Sequence, residues 1–148
     1  MYKKILVPLD GSPISDRGLT EAIGIARMSG AQIRIIHVID AYVQEGDSDL
    51  VGVLSGHLIT KFEAAGRAIL DQARARAAAD GVAAETVMVE IRSGRVADKV
   101  IEEANAWKAD LLVIGTHGRR GVQRALLGSD AEQIARLAPA PVMLVRLI

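Results

Sequence analysis

Leu111-Leu112-Val113-Ile114-Gly115-Thr116-His117-Gly118-Arg119-Arg120-Gly121, continuing to Leu127-Gly128-Ser129-Asp130, is the stretch around which the chain is organised. Its first four residues are apolar and partly β-branched, the composition of a strand buried on both faces. Glycines at 115, 118 and 121 then break the pattern, and a second break falls at Gly128-Ser129. After Ser129, the residues Ala131, Ile134, Ala135 and Ala138 recur at helical spacing. A strand, a glycine loop and a helix start, in that order, favour an anion. Glycine lets backbone N–H groups approach phosphate oxygens with no Cβ in the way. The helix start adds unpaired N–H groups and the positive end of its dipole. Phosphates of a nucleotide are the expected occupants.

The spacing is Gly115, two residues, Gly118, nine residues, Gly128-Ser129. It is not a Walker A loop, because no Gly-Lys-Ser/Thr follows four residues after a glycine, and it is not the Gly-x-Gly-x-x-Gly of a dinucleotide fold. It resembles the ATP-binding signature of the universal stress protein family, and the Gly118-Arg119-Arg120-Gly121 filling is similar too. The opening Lys3-Lys4-Ile5-Leu6-Val7-Pro8-Leu9-Asp10-Gly11-Ser12 also resembles that family, in which an acid ends the first strand.

Working outward, Lys4–Leu9 reads as a first strand, and Asp10-Gly11-Ser12-Pro13 opens a helix with Ser12 as N-cap and Pro13 in the first helical position. Gly30 terminates that helix, and Ala31–Ile39 forms a second β-rich run. A polar loop over 40–49 precedes a helix from about Leu50 to Ala79, with Val51, Leu54, Leu58, Phe62, Ala65, Ile69 and Ala73 expected on its inward face. Thr86–Ile91 is a third strand, Ser93-Gly94 starts a helix, and Val142–Leu147 after Pro139 and Pro141 makes a fifth strand. Strands alternating with helices predict right-handed crossovers and a mostly parallel sheet covered on both faces, a three-layer α/β/α fold. Periodicity does not give the strand order. The resemblance, which covers essentially the whole chain, implies a Rossmann-like five-stranded sheet in the order 3-2-1-4-5, so the order reverses between strands one and four. Residues 1–148 read as a single domain without repeat or linker.

Composition narrows the function classes. Lys plus Arg equals Asp plus Glu at 18 each, and aromatics are 3%, so neither the charge nor the stacking surface of a nucleic-acid binder is present. No apolar run approaches a membrane span. The chain has no cysteine, which removes thiol chemistry and Cys-based zinc sites, and the three histidines are too scattered to form a metal set. A cytoplasmic location is expected by exclusion.

The resemblance also implies roles for particular residues. Asp10 would accept hydrogen bonds from the nucleoside, the alternative being that it simply caps the helix at Pro13, and both roles could be filled at once; Pro8 and Leu9 would supply apolar wall. The backbone at Val38 would read the adenine edge, and Ile114 would be adenine or ribose wall, or plain core. Gly115, Gly118 and Gly128 would carry the close backbone approach. Ser129 would bond a phosphate, but with Glu132 it also fits a capping box. Arg119, with Arg120 and Arg124, would offset phosphate charge or stay solvated. Asp130 departs from the family pattern. It would repel a triphosphate if turned inward, or else face solvent or help hold a cation. His117 is expected to face solvent.

ATP is the expected ligand, with Mg²⁺ or Mn²⁺ bound through its phosphates. Three functions stay open: a nucleotide-responsive regulatory module, a slow ATPase or autophosphorylating enzyme, and a nucleotide-free dimeric interaction module. The segment contains the cradle but no clear acid/base pair and no phosphate-binding lysine. The nearly all-apolar Val142–Leu147 would be an exposed sheet edge, which predicts a homodimer with these strands antiparallel.

Overall fold

The structure, a computed structural model, describes residues 1–41, 51–117 and 126–147, with the backbone alone for 51–59. The chain runs β1 (Lys4–Pro8), α1 (Pro13–Ser29), β2 (Gln32–Asp40), α2 (Val51–Ala79), β3 (Ala84–Ile91), α3 (Val96–Trp107), β4 (Leu111–Gly115), α4 (Ser129–Leu137) and β5 (Val142–Val145). The five strands pair in parallel in the order β3-β2-β1-β4-β5. The expected order is therefore observed, and its reversal falls between β1 and β4.

Strand alternation divides the core into two layers. Ile5, Val7, Ile33, Ile35, Leu111 and Val113 point toward α1 and α2, where they meet Leu19, Ala22, Ile23, Leu70 and Ala73. Leu6, Ile36, Leu112 and Ile114 point the other way, toward Val100, Ala104, Ala131 and Ile134 of α3 and α4. Central strands buried on both faces explain the unbroken apolar runs of β1 and β4. Among the described residues, no helix is long and apolar enough to cross a membrane.

The start of α1 follows the expected chemistry. The Ser15 N–H donates to Ser12 Oγ at 3.3 Å, and Pro13 occupies the first turn. Gly30 ends the helix in the left-handed region at φ 72°, its N–H donating to the Ala26 carbonyl.

Several boundaries and one face differ from expectation: β1 ends at Pro8 rather than Leu9, and β2 runs Gln32–Asp40 rather than Ala31–Ile39. β3 begins at Ala84 rather than Thr86, because the long β2 extends the ladder to Ile33↔Ala84. β5 ends at Val145 rather than Leu147, since its partner β4 ends at Gly115. α3 is capped at Arg95 rather than Ser93: Asp98 reaches back to the Arg95 N–H at 3.2 Å. α4 has Gly128 as its N-cap, so Ser129 is the first helical residue, and the first closed turn is Glu132 N–H to the Gly128 carbonyl. The Ser129–Glu132 capping box is thus one residue out of phase.

On α2 the buried stripe is Gly66, Leu70, Ala73 and Ala77, while Phe62 and Ile69 are half-buried and Ala65 is exposed. Its phase is set by a close approach. A Cβ on Gly66 would lie 2.7 Å from His37 Cδ2 and 3.0 Å from Met88 Sδ, so glycine lets α2 settle onto β2 and β3. The face expectation for Val51, Leu54 and Leu58 lies outside the described side chains.

Candidate functional site

Beyond the carboxyl ends of β1, β2 and β4, where the strand order reverses, the chain leaves a cavity of about 600 Å³. This is where open parallel sheets place their ligands, because neighbouring crossovers leave in opposite directions and part there. Pro8, Leu9, Asp10, Val38, Ile114, Gly115, Gly128, Ser129 and Asp130 all line it. Four separate stretches of sequence thereby converge on one space. Gly118 and Arg119, like Arg120 and Arg124, lie outside the described residues.

β1 delivers Asp10 to the rim. Its Oδ1 accepts the Ser12 N–H at 2.9 Å, so the carboxylate braces the turn into α1, while Ser12 itself caps the helix. Asp10 therefore does not cap α1; it braces the turn ahead of the Ser12 cap and also lines the cavity. The Leu9 carbonyl accepts a hydrogen bond from His37 Nδ1 at 2.7 Å. A carbonyl only accepts, so Nδ1 carries a proton in this contact. His37 is buried and lines the cavity floor.

β4 delivers Ile114, buried as core and also part of the cavity wall. Gly115 has a packing reason of its own. A Cβ there would lie 3.1 Å from both Cγ atoms of Ile14, so glycine lets β4 end directly beneath the first turn of α1. Thr116 continues the strand, its N–H donating to the Val145 carbonyl at 2.9 Å, and its hydroxyl lies 3.0 Å from His117 Nδ1. His117 does not face solvent as expected: Nε2 is buried, lacks a hydrogen-bond partner among the described residues, and the ring lines the cavity.

At the start of α4 the Gly128 N–H donates to the Thr116 carbonyl at 2.7 Å and is occupied within the protein. The N–H groups of Ser129, Asp130 and Ala131 precede the first closed turn, and all three residues line the cavity. Helix geometry leaves such groups without an intrahelical acceptor, which makes them the donors for an anion. Asp130 is partly buried, and its Oδ1 accepts the Ala97 N–H at 3.2 Å, tying α4 to the first turn of α3. Asp10, Asp40 and Asp130 all belong to the lining.

Several lining residues went unrecognised in the sequence. Phe62, Ala65 and Ile69 of α2 form an apolar wall, with Val96 and Val100 of α3 opposite, and Leu126 and Leu127 border the approach to α4. Their signal was visible as helical apolar spacing, but a cavity wall and a core face have the same periodicity. The small residue Gly66, next to that stripe, was the usable clue that the buried face lay elsewhere. Among the described residues, no group of three His, Asp or Glu side chains converges to hold a metal ion.

A largely apolar slot bordered by helix amides and by aspartates can hold a flat base, a sugar and an anionic group. Comparison with known proteins bears on the fold and the family. A universal stress protein of Methanocaldococcus jannaschii is 35% identical over 151 aligned positions, covering 99% of this chain and 83% of the relative. A universal stress protein solved in complex with cAMP is 31% identical, with a TM-score of 0.71 over 98% of this chain and 97% of that one. A universal stress protein of Archaeoglobus fulgidus, solved in complex with dAMP, shares the fold at 21% identity, with a TM-score of 0.67 over 97% of this chain and 98% of that one. Residues 1–146 match the universal stress protein family as a whole, and with that match, the strand order and the cavity at its reversal, the chain belongs to this family.

Proposed function

We propose that this chain is an adenine-nucleotide-binding regulatory module, taking ATP or a less phosphorylated adenylate into the cavity between β1 and β4. One observation carries the proposal: nine residues singled out for this role from sequence surround a single cavity at the topological switch point. Phe62, Ile69, Val96 and Val100 offer apolar surface for a base, Asp10 stands where sugar hydroxyls can donate, and the first-turn amides of α4 can receive phosphate oxygens. The cAMP complex of a 31% identical relative supports an adenylate in a site of this design. Mg²⁺ or Mn²⁺ would enter through the phosphates, held chiefly by their oxygens and water.

Calorimetric titration with ATP, ADP and AMP tests the proposal. It requires saturable binding at one site per chain and a ligand-dependent rise in melting temperature. If none of the three gives heat or a thermal shift, the cavity is not an adenylate site. Radiolabelled ATP with Mg²⁺ separates binding from turnover, since multiple turnovers per chain would move the reading to an ATPase.

Assembly is proposed alongside. Met143 and Leu144 of the edge strand are 38% and 42% exposed, and Leu147 beyond it is 56% exposed. Pairing of Val142–Leu147 with the same segment of a second copy would cover this apolar edge and make a homodimer.

A further inference from the structure

We infer that His37 and Ser15 are positioning residues that fix the Leu9–Asp10 peptide and thereby give the site a preference for a sugar with both hydroxyls; the inference rests on the adenylate reading of the cavity. The register between β1 and β2 closes at Pro8, opposite Ile36, and the Leu9 N–H still reaches the Ile36 carbonyl at 2.9 Å. The next peptide, Leu9–Asp10, is bonded to side chains. Its carbonyl accepts from His37 Nδ1 at 2.7 Å, and its N–H donates to Ser15 Oγ at 3.4 Å. One peptide group is thus held from two sides, by a side chain of β2 and a side chain of α1.

Neither anchor is free to turn away. His37 is 7% exposed, and α2 approaches its ring so closely that a Cβ on Gly66 would lie 2.7 Å from Cδ2 and 3.1 Å from Nε2. Ser15 is buried too, and its hydroxyl donates to the Ser12 carbonyl at 2.9 Å, which leaves the oxygen to accept from Asp10. Both residues line the cavity. Burying a serine and a histidine costs desolvation that apolar residues would not incur. What the two secure is orientation. The peptide plane sets the direction in which the Asp10 side chain leaves the backbone, and the Ser12 N–H braces its Oδ1 at 2.9 Å. A carboxylate held in this way loses little freedom when a hydroxyl docks on it, so its preference for that hydroxyl is expressed in full.

AMP, 2′-deoxy-AMP and 3′-deoxy-AMP are titrated calorimetrically against wild type, His37→Asn and His37→Leu. Asparagine can place its amide N–H where Nδ1 donates, whereas leucine has a similar volume and no donor. A hydroxyl bonded to a carboxylate contributes about ten- to hundredfold in affinity, so wild type should prefer AMP to at least one deoxy ligand by that factor. His37→Leu should lower this ratio by about fivefold or more, and His37→Asn should recover it to within about twofold of wild type. Ser15→Ala, which removes the longer bond, should lower it by about two- to fivefold, and it carries the test alone if His37→Leu does not fold. A purely structural role would weaken all three ligands in parallel. An unchanged ratio in the folded variants therefore overturns the inference, as does an equal fall in His37→Asn and His37→Leu. A wild type that binds the three ligands equally also overturns it, while leaving an adenylate site in place. If wild type binds none of them, the adenylate reading itself fails and the inference falls with it.

Discussion

The same substitution, glycine to alanine, should have opposite effects in two helices of this chain. Gly24 lies within α1, and a Cβ added there has nothing within 4 Å. Gly66 lies within α2, where the added Cβ would sit 2.7 Å from His37 Cδ2, 3.0 Å from Met88 Sδ and 3.1 Å from His37 Nε2. In both helices alanine reduces the freedom of the unfolded chain and improves helix propensity, a gain of about 0.5–1 kcal/mol. At Gly24 that is the whole effect. At Gly66 it is opposed by overpacking, which costs about 1–3 kcal/mol in a close-packed core. Met88 is a flexible side chain and can give way, but the imidazole is buried and anchored through Nδ1 to the Leu9 carbonyl at 2.7 Å. The upper half of the range therefore applies, and Gly66→Ala should lose about 1–2 kcal/mol net. Urea denaturation at unchanged slope measures both variants, which should differ by about 2 kcal/mol, equivalent to about 4–8 °C in melting temperature for a domain of this size. A Gly66→Ala protein as stable as Gly24→Ala would refute the reasoning, because it would mean that α2 does not need the glycine to reach β2.

Four further outcomes follow from features of the same kind. Lys108 ends α3 in the left-handed region at φ 59°, so Lys108→Gly should raise stability by about 0.5–1 kcal/mol, and a drop in melting temperature would contradict that. Gly115→Ala should displace the first turn of α1 through Ile14 and weaken AMP binding in calorimetry, whereas wild-type affinity would show that the Ile14 contact is tolerant. Arg34 pairs with Glu85 and Glu103 and stacks 4.6 Å from the Trp107 ring centroid; Arg34→Lys loses the planar fork and should cost about 1 kcal/mol in chemical denaturation. Leu144→Lys on the half-exposed edge should give a monomer in sedimentation velocity if wild type sediments as a dimer, and an unchanged dimer would place the interface elsewhere.

The sequence was most informative where a local rule has one structural solution. Ser12-Pro13 and Gly30 marked the ends of α1 because a hydroxyl cap, a fixed φ and a left-handed terminator each fit one place in a helix. Leu111–Ile114 read as a central strand because apolar residues on both faces need cover on both. At Gly128-Ser129 the helix start is legible but its cap is not, since glycine and serine are both acceptable N-caps; Gly128, whose N–H is tied to the Thr116 carbonyl, holds that position. The apolar stripe of α2 was assigned to the core when its middle section faces the cavity, because hydropathy does not distinguish a side chain buried by protein from one lining an apolar slot. Asp130 carried an ambiguity that no local pattern resolves: its partner, the Ala97 N–H, is supplied by another helix. The strand order came from family resemblance rather than periodicity.

Trp107, the single tryptophan of the chain, is 8% exposed and sits with Arg34 and Lys4 at the amino ends of the strands, whereas the cavity opens at their carboxyl ends. Indole emission should consequently report collapse of the whole domain, when the two cations leave the ring and water enters, while staying silent as the far end fills. A flat fluorescence titration on this protein would say nothing against nucleotide occupancy, and a useful optical probe would have to be introduced beside α2 and α4.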